Sequence, residues 1–494
     1  MKILCPYQNK KVFDPQLDSQ TTQKEGIHSI IGRLPTPFTL QTMVMRHPIK
    51  PWILSVMAFA LISLPMTSVF NGNWTSLCFA TDAMANPAAR ENPAVRSFAY
   101  SPCPSESWQT TTAVTPRLEI DLQRLIGKND AVLLADPSGR VLVSMNSNSM
   151  LIPASTFKLL TSLSAIYHLG RDFRFITEFY KDPSDNLVIK GFGDPLLISE
   201  TLPQIAGTLA GKIQHFHDLV LDDFYYQSPL FIPGRSLSTQ PYDALNGALC
   251  VNFNTVAFRK AHGTFVSAED QTPLLPFTLN KIRASGLKEG RITFSNTLDD
   301  NLAYCAELFS YHFNQFGIRS NGRFRRGKTD PSQDILLLRH VSPFSLDQVV
   351  AKLLEYSNNF MANQLFLTTG AMVLGPPATL EKAIAVTRRY ADEVLGIKQV
   401  TLVEGSGLSR QNRLSAAQML KIVEAFAPYH RLMRHEGRQY YKTGTLKDIR
   451  TRVGYIESPS DCLFSFVVFV NTPGKDTDKI MQALEKAVNA DRQG

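Results

Sequence analysis

Apolar positions along the chain fall into short periodic runs separated by polar turns, and their spacing alternates between that of helices and that of strands. Residues 117–126 carry a short helical pattern. Ala131–Ala135 and Val141–Met145 then flank Asp136-Pro137-Ser138-Gly139, a turn sequence that predicts a β-hairpin. A second helix is predicted over Phe157–Leu169, directly after Pro153-Ala154-Ser155, where a helix start is chemically favoured. Strand-like runs at Leu187–Lys190, Leu219–Tyr226 and Arg291–Phe294 follow, punctuated by Gly and Pro. Helical spacing returns at Leu346–Leu354 and again from Phe360. From Gln439 a strand turns and comes back through Arg450 to Ile456, predicting an edge hairpin. The strand Leu463–Val470 and an amphipathic helix through Ile480, Leu484 and Val488 end the pattern.

The first hundred residues read differently. Trp52–Leu64 is an apolar run of signal-peptide length preceded by Arg46, His47 and Lys50, which predicts an export signal within residues 43–85. Met43 and Met45 stand just before those basic residues, so residues 1–42 are expected to be an over-extended reading frame. Ala83-Met84-Ala85 offers a small-x-small cleavage site, and an uncleaved membrane anchor is the alternative. Either way the remainder faces outward, in the periplasm or cell envelope. Residues 86–116, rich in Pro, Ser, Thr and Ala and without periodicity, read as a linker.

At 494 residues the chain is long enough for two or three domains with buried cores, and 44% apolar against 19% charged residues describes a globular protein. The formal charge of +8 is spread thinly, since residues 1–85 carry +3 of it and the rest only +5. The densest basic cluster, Arg323–Lys328, stands alone and reads as a solvated loop or turn, so no nucleic-acid partner is expected. The six cysteines show no Cys-x-x-Cys pair and no His at zinc-ligand spacing, so no metal site is expected. Export would permit one or two disulfides, with buried free thiols the equal alternative.

Three short motifs carry the chemistry. In Ser155-Thr156-Phe157-Lys158 a serine and a lysine three apart share one helix face, and a lysine of lowered proton affinity can take the serine's proton. Alone the pattern is cheap, because Ser285-Gly286-Leu287-Lys288 repeats the spacing. Ser357-Asn358-Asn359 sits in a predicted turn between helices, where its plain reading is a helix cap. Lys442-Thr443-Gly444, followed by Thr445, lies on the predicted edge strand, where a glycine lets a ligand backbone approach and the cation and hydroxyls suit a terminal carboxylate.

In this order the three motifs form a specific combination. The chain from Arg117 onward resembles the low-molecular-mass class C penicillin-binding proteins, the DacB-like D-Ala-D-Ala carboxypeptidases and endopeptidases. Pro153–Lys158, Gly193-Asp194-Pro195, Pro241–Ala244, Val251–Asn254 and Gly405–Ser409 carry the same resemblance. Two departures are Glu404 and Asn358, at positions where the family commonly has aspartate. The resemblance implies an α+β transpeptidase-like catalytic domain, an antiparallel sheet flanked by helices, formed from residues 117–170 and 342–494. The 202 positions between Ser155 and Ser357 exceed what that domain needs, so residues 171–341 are expected to be a β-rich insertion.

The same resemblance implies the roles. Ser155 would attack the carbonyl between two D-alanines, Lys158 would accept its proton, and Ser357 would relay a proton to the leaving amine under the influence of Lys442. Asn359 would hold the acyl-side amide. Thr443 and Thr445 would bind the terminal carboxylate at Gly444, and the N–H groups of Ser155 and Thr445 would form an oxyanion hole. Peptidoglycan peptides are the implied substrate and β-lactam antibiotics the covalent inhibitors, with no cofactor. Carboxypeptidase and endopeptidase action stay open, as does oligomeric state. A β-lactamase shares the motifs, though the long insertion argues against it, and a non-catalytic wall-binding module would keep the fold. A Ser-His-Asp hydrolase lacks its nucleophile elbow, since Glu404-Gly405-Ser406-Gly407 has the wrong spacing.

Overall fold

The computed structural model describes residues 114–294 and 297–489, so the expectations for residues 1–42 and 43–85 and for most of 86–116 lie outside the described residues. The described chain opens with α1 (Val114–Leu125) and the hairpin β1 (Asp130–Ala135) and β2 (Val141–Met145). A single 3-10 turn, Ala154–Phe157, then leads into α2 (Lys158–Leu169). After the long excursion described below come α6 (Leu346–Tyr356), α7 (Asn359–Leu374), α8 (Leu380–Glu393) and α9 (Ala416–Phe426). Four strands follow, β13 (Arg434–Glu436), β14 (Gln439–Leu446), β15 (Ile449–Glu457) and β16 (Leu463–Val470), and α10 (Asp478–Asn489) closes the described chain.

These strands make one six-stranded antiparallel sheet in the order β13-β14-β15-β16-β1-β2. The unbroken apolar run of β16 has a simple cause, because the strand is central and buried on both faces. Phe464, Phe466 and Val468 face α1 and α10 with Leu118, Leu122, Leu484 and Val488, whereas Val467 and Phe469 face the larger cluster formed by α2, α7 and α9. The carboxylate of Asp130 accepts from the backbone N–H groups of Asn471 and Thr472, each at 2.9 Å. Asn471 in turn clasps Ile152, accepting from its N–H at 2.8 Å and donating to its carbonyl at 3.2 Å. The segment leading to Ser155 is thereby tied to the end of the central strand.

Between α2 and α6 the described residues build ten strands and three α-helices. They are β3 (Arg174–Lys181), β4 (Leu187–Gly191), α3 (Leu202–Ala210), β5 (His215–Phe216), β6 (Leu219–Asp222), β7 (Thr255–Ala261), β8 (Thr264–Ser267), α4 (Pro276–Ser285), β9 (Glu289–Thr293), α5 (Leu298–Gln315), β10 (Arg319–Ser320), β11 (Phe324–Arg326) and β12 (Ile335–Ser345). A five-stranded sheet in the order β11-β6-β4-β3-β12 and a three-stranded sheet β8-β7-β9 share a second apolar cluster with α3 and α5. The inserted region carries helices among its strands, its 18-residue α5 being amphipathic and buried through Leu308, Phe309 and Phe313.

Several boundaries differ from the sequence reading. The strand beginning at Leu219 stops at Asp222, where Asp222 and Asp223 turn inward to hold Thr329 and Arg326. Arg323–Lys328 includes strand β11 rather than being a loop only, and Arg325 and Arg326 pair with Asp218 and Asp223. Strand β14 is not the sheet edge along its whole length, because β13 pairs with Gln439, Tyr440 and Tyr441. Cys250 and Cys305 are buried free thiols, and Cys462 is disulfide-bonded. Truncating fully buried Leu308 to alanine is expected to destabilise the protein by about 2–5 kcal/mol in urea unfolding, the range for emptying a packed leucine site.

Candidate active site

The 3-10 turn that carries Ser155 begins at Ala154, whose φ is +47°, and it is gripped from two sides. The carbonyl of Pro153 accepts from the hydroxyls of Thr156 at 2.7 Å and of Thr451 on β15 at 2.8 Å. Two glycines let neighbouring backbone come close. A methyl group at Gly407, which has φ +79°, would fall 1.9 Å from the Ala154 carbonyl oxygen. One at Gly444 would fall 2.8 Å from the Ser155 nitrogen and 2.3 Å from the Thr451 hydroxyl. Gly444 thus has a reason rooted in packing as well as in ligand approach.

Lys158 follows one turn later and is fully buried. Its Nζ lies 2.9 Å from Ser155 Oγ, 2.7 Å from Asn359 Oδ1 and 2.6 Å from the carbonyl oxygen of Ser406. Burial pushes its pKa down from the ordinary 10.5 to about 7, against a partial counterpull from the Glu404 carboxylate. The partner set fixes a direction. A neutral amine has two N–H donors and one lone pair, and two of the three neighbours, an amide oxygen and a carbonyl, can only accept. Once these take the donors, the lone pair is left for the Ser155 hydroxyl.

The second motif brings its outer residues to the same place and spends the middle one on structure. Ser357 closes α6 in the left-handed conformation, φ 53° and ψ 36°, which turns its hydroxyl toward β14. There Lys442 Nζ, itself buried, donates to Ser357 Oγ at 2.7 Å and to the Thr443 carbonyl at 2.7 Å. Asn358 is the N-cap of α7, accepting from the Met361 N–H at 3.0 Å, a task that asparagine and aspartate perform equally well. Its departure from the family pattern is thereby a cap choice. Asn359 begins α7 and meets Lys158.

Strand β13 ends its pairing opposite Tyr441, so among the described strands Thr443–Leu446 of β14 pair only with β15, and Gly444 lies beside Ser155. Thr443 is half-buried there and Thr445 is exposed. By contrast Ser285 ends α4 in the inserted region and donates its hydroxyl to the Ile282 carbonyl, a helix-terminal role remote in chain and fold from these groups.

Sequence reasoning did not include Glu404 or Ser406 among the site residues. The Glu404 carboxylate is fully buried and accepts from Ser406 N–H and hydroxyl, Ser409 N–H, Asn412 Nδ2 and Asn363 Nδ2, at 2.6–3.2 Å. This network folds the Gly-Ser loop into a cup whose rim, the Ser406 carbonyl, meets Lys158. The signal available was a lone acid ahead of a glycine-serine run, and nothing local distinguishes it from a turn acid.

The family model for D-Ala-D-Ala carboxypeptidase 3 (S13) matches residues 117–435, which takes in the first two motifs and ends ahead of Lys442. The chain belongs to this family. Among curated relatives it is 24% identical over 347 residues to a D-alanyl-D-alanine carboxypeptidase of Actinomadura sp. (strain R39), covering 60% of this chain and 64% of that one. It is 22% identical over 333 residues to D-alanyl-D-alanine carboxypeptidase DacB of Haemophilus influenzae, covering 58% and 68%. The chain thus spans about two thirds of the length of these relatives. Its fold is similar to that of penicillin binding protein 4 (dacB) from Haemophilus influenzae, with a TM-score of 0.60, 19% identity, and coverage of 75% of this chain and 98% of that one.

The buried lysine also makes stability depend on pH. Unfolded lysine holds its proton up to 10.5 and folded Lys158 sheds it near 7, so between these values the unfolded chain binds more protons and rising pH favours folding. The penalty is full below pH 7 and relieved toward 10.5. Urea unfolding at stepped pH is expected to show Lys158→Met gaining most over the wild type below pH 7, with the gap narrowing as pH rises.

Proposed function

We propose that the protein is an exported serine D-Ala-D-Ala carboxypeptidase or endopeptidase of the bacterial cell envelope, acting on peptidoglycan peptides through an acyl-enzyme. The observation that carries the reading is the buried Lys158 amine, 2.9 Å from Ser155 Oγ with both of its other neighbours pure acceptors. A serine hydroxyl is a weak nucleophile until a base takes its proton, and a lysine of near-neutral pKa is suited to that task.

In this reading the substrate lies along β14 beside Thr443–Leu446 as an added strand, with its terminal carboxylate at Thr443 and Thr445. Ser155 Oγ bonds to the carbonyl carbon between the two D-alanines as its proton passes to Lys158. The oxyanion is met by the N–H groups of Ser155 and Thr445, each such donor contributing on the order of 3 kcal/mol. Asn359, whose Oδ1 is taken by Lys158, keeps its Nδ2 for the acyl-side amide carbonyl. Ser357, held by Lys442, passes a proton to the departing amine as the carbon–nitrogen bond breaks. Water then attacks the ester, returning the serine and releasing the shortened peptide.

The same serine would open a β-lactam ring and retain the acyl group. The Haemophilus penicillin binding protein 4 is known in complex with a novel β-lactam, which supports this expectation at the level of the shared fold. Outward placement is supported by the apolar run at Trp52–Leu64 behind its basic residues. Among the described residues no helix is long and apolar enough to cross a membrane.

Intact-mass measurement after incubation with a labelled penicillin is expected to show one stable adduct on the wild type and on Ser285→Ala, and none on Ser155→Ala. No adduct on folded wild type would refute the acyl-enzyme, and rapid turnover of the penicillin would make it a β-lactamase instead. The acylation rate is expected to rise with pH through about 7 and level off above, because Lys158 must be neutral to act. A stopped-flow pH profile that is flat from about 6 to 8 would remove Lys158 as the base.

A further inference from the structure

The inserted region supplies none of the groups assigned above, yet one of its turns reaches the reacting groups' own framework. Segment 244–254 runs along the seam between the two apolar clusters and faces both ways. Ala244, Ala248 and Cys250 pack into the cluster of the six-stranded sheet and its helices, and Leu249 and Val251 pack into the inserted one. The segment ends in three consecutive non-glycine residues in the left-handed region, Asn252 at φ 49°, Phe253 at 60° and Asn254 at 53°. L-residues rarely adopt this conformation in succession, and it persists only where the surroundings impose it.

Both asparagines are gripped within the inserted region. Asn252 accepts from the Ser199 N–H at 2.8 Å and donates to the hydroxyls of Ser199 at 2.8 Å and Tyr304 at 3.0 Å. Asn254 donates to the Leu245 carbonyl at 2.8 Å, and its own carbonyl accepts from Thr293 at 2.8 Å. The strained turn sends the residue between them the other way. Phe253 packs against the catalytic cluster, its ring edge-to-face with Phe360 at 6.2 Å between centroids and 81° between planes. Phe360 directly follows Asn359, and its carbonyl accepts from Asn246 Nδ2 at 2.9 Å.

We propose that Phe253 is a positioning residue: the inserted region uses its strained turn to brace Phe360, and through it the first turn of α7, so that Asn359 meets Lys158 in register. The inference rests on the roles given to Asn359 and Lys158 above. Its physical basis is that Asn359 Oδ1 occupies one of the two N–H donors of the Lys158 amine, so a tilt of the α7 start would turn the lone pair away from Ser155. Small misplacements of reacting groups carry large rate penalties.

The test is a double-mutant cycle on the acylation rate with a labelled penicillin, using Phe253→Ala, Asn359→Ala and the double variant, with Phe313→Leu as a destabilised control in the inserted core. Phe253→Ala is expected to lower the rate about tenfold or more, and the double variant to fall little below Asn359→Ala. The control should acylate at the wild-type rate despite a lower melting temperature. Losses that multiply independently, or a wild-type rate in Phe253→Ala, would overturn the inference alone. A wild-type rate in Asn359→Ala would instead overturn the role assigned to that residue, and this inference with it. Should Phe253→Ala fail to fold, Phe253→Leu takes its place in the cycle: a slowed rate that Asn359→Ala absorbs supports the brace, and a wild-type rate or an independent loss overturns it.

Discussion

An ionisable amine placed where water cannot reach it is the constraint around which the rest of this structure is arranged. Lys158 has no solvent to satisfy it, so its three neighbours must come from protein, and they come from three separate parts of the chain: the preceding turn, the start of α7 and the loop after Glu404. The same desolvation that lowers its proton affinity makes it a stability liability below neutral pH. Glu404 moderates that liability without touching the amine, through its charge and through the loop it organises. The proposed role of Lys158 and the stability of the fold pull against each other at this one nitrogen.

In the proposed reading the six-stranded sheet supplies the second requirement, a place for an extended peptide beside the serine. Strand β13 is only three residues long, so among the described strands Thr443–Leu446 of β14 pair on one side only, with β15. Edge strands are normally covered because they invite pairing. Beside this stretch Lys442 turns inward to Ser357, and Gly444 lets the strand pass close to the Ser155 nitrogen. The inserted region occupies a third position in this scheme, since its seam segment packs into both cores at once.

Much of this was legible in the residues. The helix after Pro153, the hairpin around Asp136–Gly139, the strand Leu463–Val470 and the final amphipathic helix follow from spacing and turn chemistry, and their observed bounds differ by a few residues at most. Ser155 and Lys158 could be paired from sequence because three positions on a helical turn is a local relation. The mixed character of the insertion was less legible, because α5 lies among Gly- and Pro-punctuated runs whose spacing points to strands. The true edge of the hairpin was hidden for another reason: Arg434–Glu436 is too short and too polar to announce itself as a strand.

The amino-acid sequence by itself determined the local geometry: which residues start helices, which turn, and which serine and lysine share a face. It also carried the order of motifs by which the family resemblance was drawn. Tertiary structure alone decided that Asn359, 201 positions beyond Lys158, accepts from its amine, that Ser406 lends a carbonyl and Glu404 a charge, and that Asn358 serves as a cap while its neighbours face the site. The physical reason is that a pKa and a hydrogen-bond direction depend on what surrounds a group in space. Desolvation is a property of the whole packed core, and no window of neighbouring residues contains it.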